Sequence, residues 1–172
     1  MTDKGRYRSR YPGKSAWAFR DPSWVVCPRC AGPARSTTDE TERRHRMVCK
    51  GCAHVAELDT PHLLQWIGDG TDGRFGLRLY LTVDVQGQEL WVHNLEHLDA
   101  LADWLGATLR ERNVDGDIRN RTMMSRLPRW MKAASARPAV MKGLEALRAK
   151  AVREGADRLA TGGAQRKTPG HR

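Results

Sequence analysis

Four thiols are the residues of this chain best placed to do chemistry. They stand as Cys27-Pro28-Arg29-Cys30 and Cys49-Lys50-Gly51-Cys52, with 18 residues between the pairs and no other cysteine in the sequence. Each C-x-x-C puts two sulfurs on one tight turn, where both reach a single ion at about 2.3 Å. The interval between the pairs falls within the spacing that marks a zinc site. Ala31-Gly32 and Ala53-His54, which follow the pairs, are small or polar, and Gly51 permits the close backbone approach that a metal knuckle needs. Two disulfides, or four unrelated thiols, are the competing reading; the matched pairing and the lack of a secretory pattern speak against it. Four thiolates fill a tetrahedral shell and leave no position for water, so the expected role of the ion is structural. Zinc is the expected metal, with iron as the alternative for a tetrahedral sulfur site.

One other constellation carries chemistry. His93-Asn94-Leu95-Glu96-His97 spells H-x-x-E-H, a metalloprotease pattern in which two histidines hold the metal and the glutamate acts as base. That chemistry needs both histidines on one helical face. Here His93 ends a predicted strand and Asn94 reads as a helix cap, so the expectation is that His93, Glu96 and His97 form no catalytic site and that the chain is not an enzyme. No thiol is left over as a nucleophile, and neither a Gly-x-Ser-x-Gly elbow nor a phosphate-loop lysine occurs. His45, His54 and His62 are expected at the surface or beside the metal ligands, since four cysteines already complete the shell.

The elements that must position these residues follow from pattern. Of the 172 residues, 40% are apolar and six are Trp, enough for a real core. No run of about 18 apolar residues exists, so no membrane span is expected. Residues 1–23 read as a flexible basic arm in which Tyr7 and Tyr11 interleave with Arg6, Arg8 and Arg10. Met1 to Lys14 lead into no apolar stretch, so no secretory signal is expected, and thiols reserved for metal point to the reducing cytoplasm. Residues 24–60 read as a zinc ribbon: Trp24-Val25-Val26 as a leading strand, a hairpin from Arg35–Thr38 and Arg43–Val48 across an acidic turn, and a third strand over Ala53–Leu58.

Residues 61–118 read as a β-hairpin plus helix core. A short helical stretch over His62–Ile67 and a Gly/Asp loop precede a strand predicted over Phe75–Val85, a turn at Gln86–Gln88 and a return strand over Leu90–His93. Asn94 is the predicted N-cap of a helix whose stripe runs Leu95, Leu98, Leu101, Ala102, Leu105 and Leu109. Asn113–Asp117 reads as a break. Residues 119–158 read as a basic helical region: one helix over Ser125–Ala136 with Pro128 in its first turn, and a last helix carrying Val140, Met141, Leu144, Leu147 and Val152. Residues 159–172 read as a disordered tail. The fold class is therefore α+β, with an N-terminal four-cysteine ribbon, a small antiparallel hairpin packed on a helix, and basic C-terminal helices.

Charge is distributed unevenly along this frame. Residues 61–118 hold four Lys/Arg against ten acids, whereas residues 119–172 hold fourteen against three. An acidic middle beside a basic end suggests an acidic partner such as DNA or RNA, or contact between the two halves. Arg126, Arg129, Lys132, Arg137 and Lys142 are the candidate phosphate contacts. Arg29 and Lys50, inside the knuckles, offset the net charge of about −2 on a zinc held by four thiolates.

The cysteine pairs, Leu90-Trp91 with Asn94 and His97-Leu98, the helix end Leu109-Arg110-Glu111-Arg112 and the stretch Leu127-Pro128-Arg129-Trp130-Met131-Lys132 together resemble a family of small bacterial proteins that carry a zinc ribbon of the transcription-factor-IIB type. The resemblance spans roughly residues 24 to 150 and implies a metal-bound fold; it implies little about activity. The expected function is a non-enzymatic, nucleic-acid-associated or regulatory zinc-ribbon protein. A protein–protein adaptor, using the ribbon and Trp17, Trp24 or Trp130 as anchors, is the alternative.

Overall fold

The computed structural model describes residues 8–11, 14–59, 69–107, 109–112 and 123–155. In chain order the elements are β1 (Arg8–Tyr11), β2 (Ser23–Val26), β3 (Pro33–Asp39), β4 (Arg44–Cys49), β5 (Val55–Asp59), β6 (Thr82–Val85), β7 (Gln88–Trp91), α1 (Leu95–Gly106), β8 (Leu109–Arg112), α2 (Arg129–Lys132) and α3 (Arg137–Arg153), with single 3-10 turns at Ala16–Phe19 and Met124–Arg126. The architecture is mixed α+β. A four-stranded antiparallel sheet runs in the order β2-β3-β4-β5, β6 and β7 form a hairpin, and β1 pairs with β8 in parallel.

The ribbon sheet has two unlike faces because its strands alternate. Ala34, Ser36, His45, Met47 and Cys49 are buried on the inner face, while Arg35, Thr37, Arg46 and Val48 lie on the outer one. The acidic turn between β3 and β4 is closed by the Asp39 carboxylate, which accepts from the Thr41 and Glu42 amides.

A second, larger core gathers under α1 and α3. Leu98, Leu101, Trp104 and Leu105 of α1 meet Val140, Leu144, Leu147 and Ala151 of α3, with Val85, Leu90 and Val92 beneath them. Asn94 caps α1: its side-chain oxygen accepts from the His97 amide at 2.9 Å. The same side chain donates to the carbonyls of Phe19 and Pro22 at 2.6 and 2.7 Å, clasping the upstream segment to the start of the helix. Glycine at position 143 is what lets α3 lie close on the hairpin, since a Cβ there would sit 2.7 Å from Val85 Cγ2 and 3.0 Å from Leu90 Cδ2.

The two bodies exchange residues across β2. Trp24 packs into the larger core, and Leu79 packs into the ribbon core with Val25, Ala34 and Met47. One edge of β2 pairs with β3; the other hydrogen-bonds outward, from Trp24 N to His93 O, from Val26 N to Arg78 O and from Tyr80 N back to Trp24 O, each at 2.8–2.9 Å. A polar latch reinforces this seam. Arg74, 4% exposed, donates through Nε to Thr38 Oγ1 at 2.8 Å and through Nη1 to Arg20 O at 3.0 Å, and forms an ion pair with Asp21 at 3.3 Å. Asp72, also buried, accepts from Ser36 Oγ at 2.8 Å and from the Phe75 and Leu77 amides.

Several elements differ from the sequence pattern. The alternation over Phe75–Val85 predicts one long strand, but the strand begins only at Thr82. Gly73 and Gly76 take positive φ of 68° and 66° and the segment turns around Asp72. The apolar stripe of α1 stops at Leu105; the helix ends at Gly106, and Leu109–Arg112 pairs with Arg8–Tyr11 as a strand, not as a helix end. Pro128 caps α2 instead of lying inside a helix begun at Ser125, because the ring forbids the preceding residue a helical conformation. Val152 is exposed, and Ala151 and Gly143 take its expected place in the α3 stripe. Phe19, placed by sequence in the basic arm, is buried. The expected helix over His62–Ile67, the break at 113–117 and the tail from 159 lie outside the described residues.

Candidate metal centre

Each cysteine pair sits at a strand junction, and the two junctions fold alike. Cys27 follows β2 and Cys49 ends β4. The Cys27 amide donates to Gly32 O and the Cys49 amide to His54 O, both at 2.9 Å, so each knuckle closes on the residue five positions on. The residue after the second cysteine, Ala31 in one turn and Ala53 in the other, takes φ of 57° in both. Alanine is a small side chain to hold in this left-handed conformation, whose cost is of order 1 kcal/mol. Space is restricted around the sulfurs: a Cβ at Gly32 would lie 3.3 Å from Cys30 Sγ.

The four sulfurs converge within 4.8 Å of one another. Cys27 and Cys52 stand 3.7 Å apart, and Cys30 and Cys49 3.5 Å apart. A tetrahedron with metal–sulfur bonds of about 2.3 Å has edges of about 3.8 Å, so the donor set fits a four-coordinate thiophilic ion. Among the described residues, this is the one group of three or more His, Cys, Asp or Glu side chains that could hold a metal. All four cysteines are free thiols, not disulfides. Cys27 and Cys49 are buried and Cys30 and Cys52 exposed, which places one edge of the site in the ribbon core and the other at the surface.

The thiols compete for charge. Burial would raise the Cys27 thiol, but hydrogen bonds from the Arg29 and Cys30 amides and from neighbouring thiols pull it down to about 7. Cys30 goes the other way: the Gly32 amide favours its thiolate, yet crowding by Cys49 and Cys52 overrides this and pushes it up to about 12. The Arg29 amide lies 3.4 Å from Cys27 Sγ. Four like charges this close cannot coexist without a cation among them, and a bound divalent ion deprotonates its thiols outright.

The histidines separate into different roles. His45 is buried on the inner sheet face, 3.1 Å from Thr38 Oγ1 through Nδ1, which rules out the surface position, one of its two expected places. His54 is half-buried, and His62 lies outside the described residues. His93 and His97 are buried and stack at 5.6 Å. His93 Nδ1 lies 3.0 Å from Ser23 Oγ, and His97 Nδ1 accepts from the His93 amide at 3.2 Å. Glu96 points away to an exposed ion pair with Lys14 at 2.7 Å, so His93, Glu96 and His97 are not gathered into one cluster. Burial, with Arg74 and Arg20 nearby, lowers His93 to about 4; burial, then His93, lowers His97 to about 3.

The basic candidates lie on the C-terminal segment. Arg126, Arg129 and Lys142 are exposed; Lys132 is half-exposed and donates to Ser125 O at 3.4 Å; Arg137 is half-buried at the start of α3, with a buried Nε that has no hydrogen-bond partner. Neither the burial of His45 nor the Arg74 latch has a local sequence signal. Comparison with protein-family models, with curated proteins and with solved structures gave no match. Among the described residues, no helix is long and apolar enough to cross a membrane.

Proposed function

We propose that the chain is a non-enzymatic zinc-ribbon protein that associates with nucleic acid in the reducing cytoplasm. The convergence of four sulfurs from two like-folded knuckles carries the reading. Zinc suits a tetrahedral set of four thiolates, and a shell closed by protein sulfur holds structure instead of activating water. The likeness to the bacterial ribbon family belongs to this reading. Exposed Arg126, Arg129 and Lys142, in a segment where fourteen Lys/Arg face three acids, supply sequence-independent phosphate contacts, joined by Lys132 and Arg137.

Metal analysis of protein prepared without chelator should find one zinc per chain. Fluorescence anisotropy with DNA and RNA duplexes and single strands should then show a log affinity that falls linearly as log salt rises. The triple substitution Arg126→Gln, Arg129→Gln, Lys142→Gln should weaken binding to every sequence and lower the salt slope by about 0.9 for each duplex phosphate no longer neutralised. Absence of affinity for any nucleic acid at low salt rejects the nucleic-acid role.

An adaptor role draws on a different observation. β5 is an edge strand that leaves Val55 and Leu58 each 44% exposed, and Trp17 is 39% exposed. An open apolar edge suits addition of a partner strand. A stoichiometric protein partner retained at high salt, and lost on Val55→Lys, would favour this role over the first.

A further inference from the structure

The outer face of the ribbon sheet carries a groove of about 320 Å³ that ends against Glu154, just beyond α3. Its walls are the apolar Trp24, Pro33 and Val48 and three cations, Arg35, Arg46 and Lys50. The register explains the grouping: Arg35 lies opposite Trp24 on one side and Val48 on the other.

Among the described residues, the groove's cations are only partly paired. Arg46 is paired with Glu57 at 3.4 Å, and Glu154 accepts from the Tyr80 hydroxyl at 3.1 Å. Arg35 and Lys50 have no ion pair among the described residues. Arg35 Nε is buried and has no hydrogen-bond partner. Buried donors are nearly always satisfied, and Arg35, whose side chain lines the groove, is left with this one unanswered.

We propose that this groove binds a phosphate monoester carried on an apolar or planar body, with Arg35 and Lys50 on the phosphate oxygens and Trp24, Pro33 and Val48 against the body. A monoester bears a charge near −2 at neutral pH, opposite in sign to the groove's three cations, which outnumber its one acid, Glu154. The guanidinium fork grips two oxygens at once and the ammonium adds a point charge. The volume lies at the small end of ligand pockets and suits one nucleotide-sized molecule. The phosphate comes either from a free small molecule or from the phosphorylated end of a nucleic-acid strand. The inference stands independently of the basic C-terminal helices.

The test is titration of the metal-loaded protein by calorimetry and by NMR of arginine side-chain N–H groups. The probes are adenosine 5′-monophosphate, inorganic phosphate, and a trinucleotide with either a 5′-phosphate or a 5′-hydroxyl. Saturable one-to-one binding of the monophosphate, with the Arg35 Nε–H resonance shifting, supports a free ligand. Binding of the 5′-phosphorylated trinucleotide alone, with the same shift, supports a strand end. Arg35→Gln should weaken whichever probe binds by about tenfold or more, with metal content and circular dichroism confirming its fold. The NMR shift on the unaltered chain keeps the test valid if that variant does not fold. The proposal is overturned if no monoester binds at millimolar concentration, if the Arg35 resonance stays still, if folded Arg35→Gln binds undiminished, or if inorganic phosphate binds as tightly as the monophosphate. Binding of long duplexes through the C-terminal helices is unaffected by any of these outcomes.

Discussion

The ribbon and the helical body solve the same problem by different means. The ribbon core consists of Val25, Cys27, Ala34, Met47, Cys49 and Leu79, two of which are candidate metal ligands. The helical body buries a far larger set, from Phe19 and Trp24 through Leu101 and Trp104 to Leu147. A small apolar cluster cannot offset the conformational entropy of the strands that enclose it, whereas the larger one can. The difference teaches that the first body needs the proposed zinc where the second relies on packing, and that the residues exchanged at β2 join them.

The largest expected effect comes from metal removal. Structural zinc in a four-thiolate site contributes about 10 kcal/mol or more of folding free energy. Chelation, or Cys49→Ser, should therefore melt strands β3 to β5 as followed by amide exchange, and lower protection in α1 and α3 to a smaller degree through β2. Unchanged protection in the ribbon would erase the contrast between the two bodies. Next in size is the latch. Arg74→Ala removes one member of a buried charged network and should cost about 3–5 kcal/mol, lowering the urea midpoint of both bodies together. A loss confined to one body would show that the seam is not a coupling.

The histidines give a smaller effect, centred where the helical body meets β2. His93 and His97 stay neutral when folded, with values of about 4 and about 3, against 6.5 when unfolded. Below pH 6.5 the unfolded chain gains protons that the native state refuses, so stability is full above that pH and is lost as pH falls toward 4. Urea midpoints of the helical body between pH 7 and 4.5 should fall by the equivalent of a few kcal/mol, and His97→Gln should flatten the slope. The smallest effect is at the α3 contact. Gly143→Ala gains about 1 kcal/mol in helix propensity but forces a Cβ against Val85, at about 1–3 kcal/mol. The expected net is a modest loss in the midpoint, with no change in metal affinity.

What the sequence made legible was local. Cys27, Cys30, Cys49 and Cys52 are specified by spacing, and the β3–β4 hairpin, the Asn94 cap and the last helix follow from turn chemistry and period. What it concealed depends on distant partners. Leu109 continues a helical stripe by position, yet the segment pairs with residues a hundred positions upstream. Arg74 carries no local signal of burial, yet it is held among Thr38, Asp21 and Asp72. The groove over Arg35 exists because Glu154, over a hundred residues further along, comes to rest beside the ribbon.

One asparagine sets a limit on dissection. Asn94 begins α1 and holds two carbonyls of the 19–22 segment, while Phe19 fills the core beneath. A fragment starting at Trp24 would retain every cysteine, but it would strip the Asn94 amide of both its acceptors and leave an apolar socket open. The first sulfur knuckle therefore marks no autonomous border, and any piece that keeps α1 has to carry the upstream clasp along.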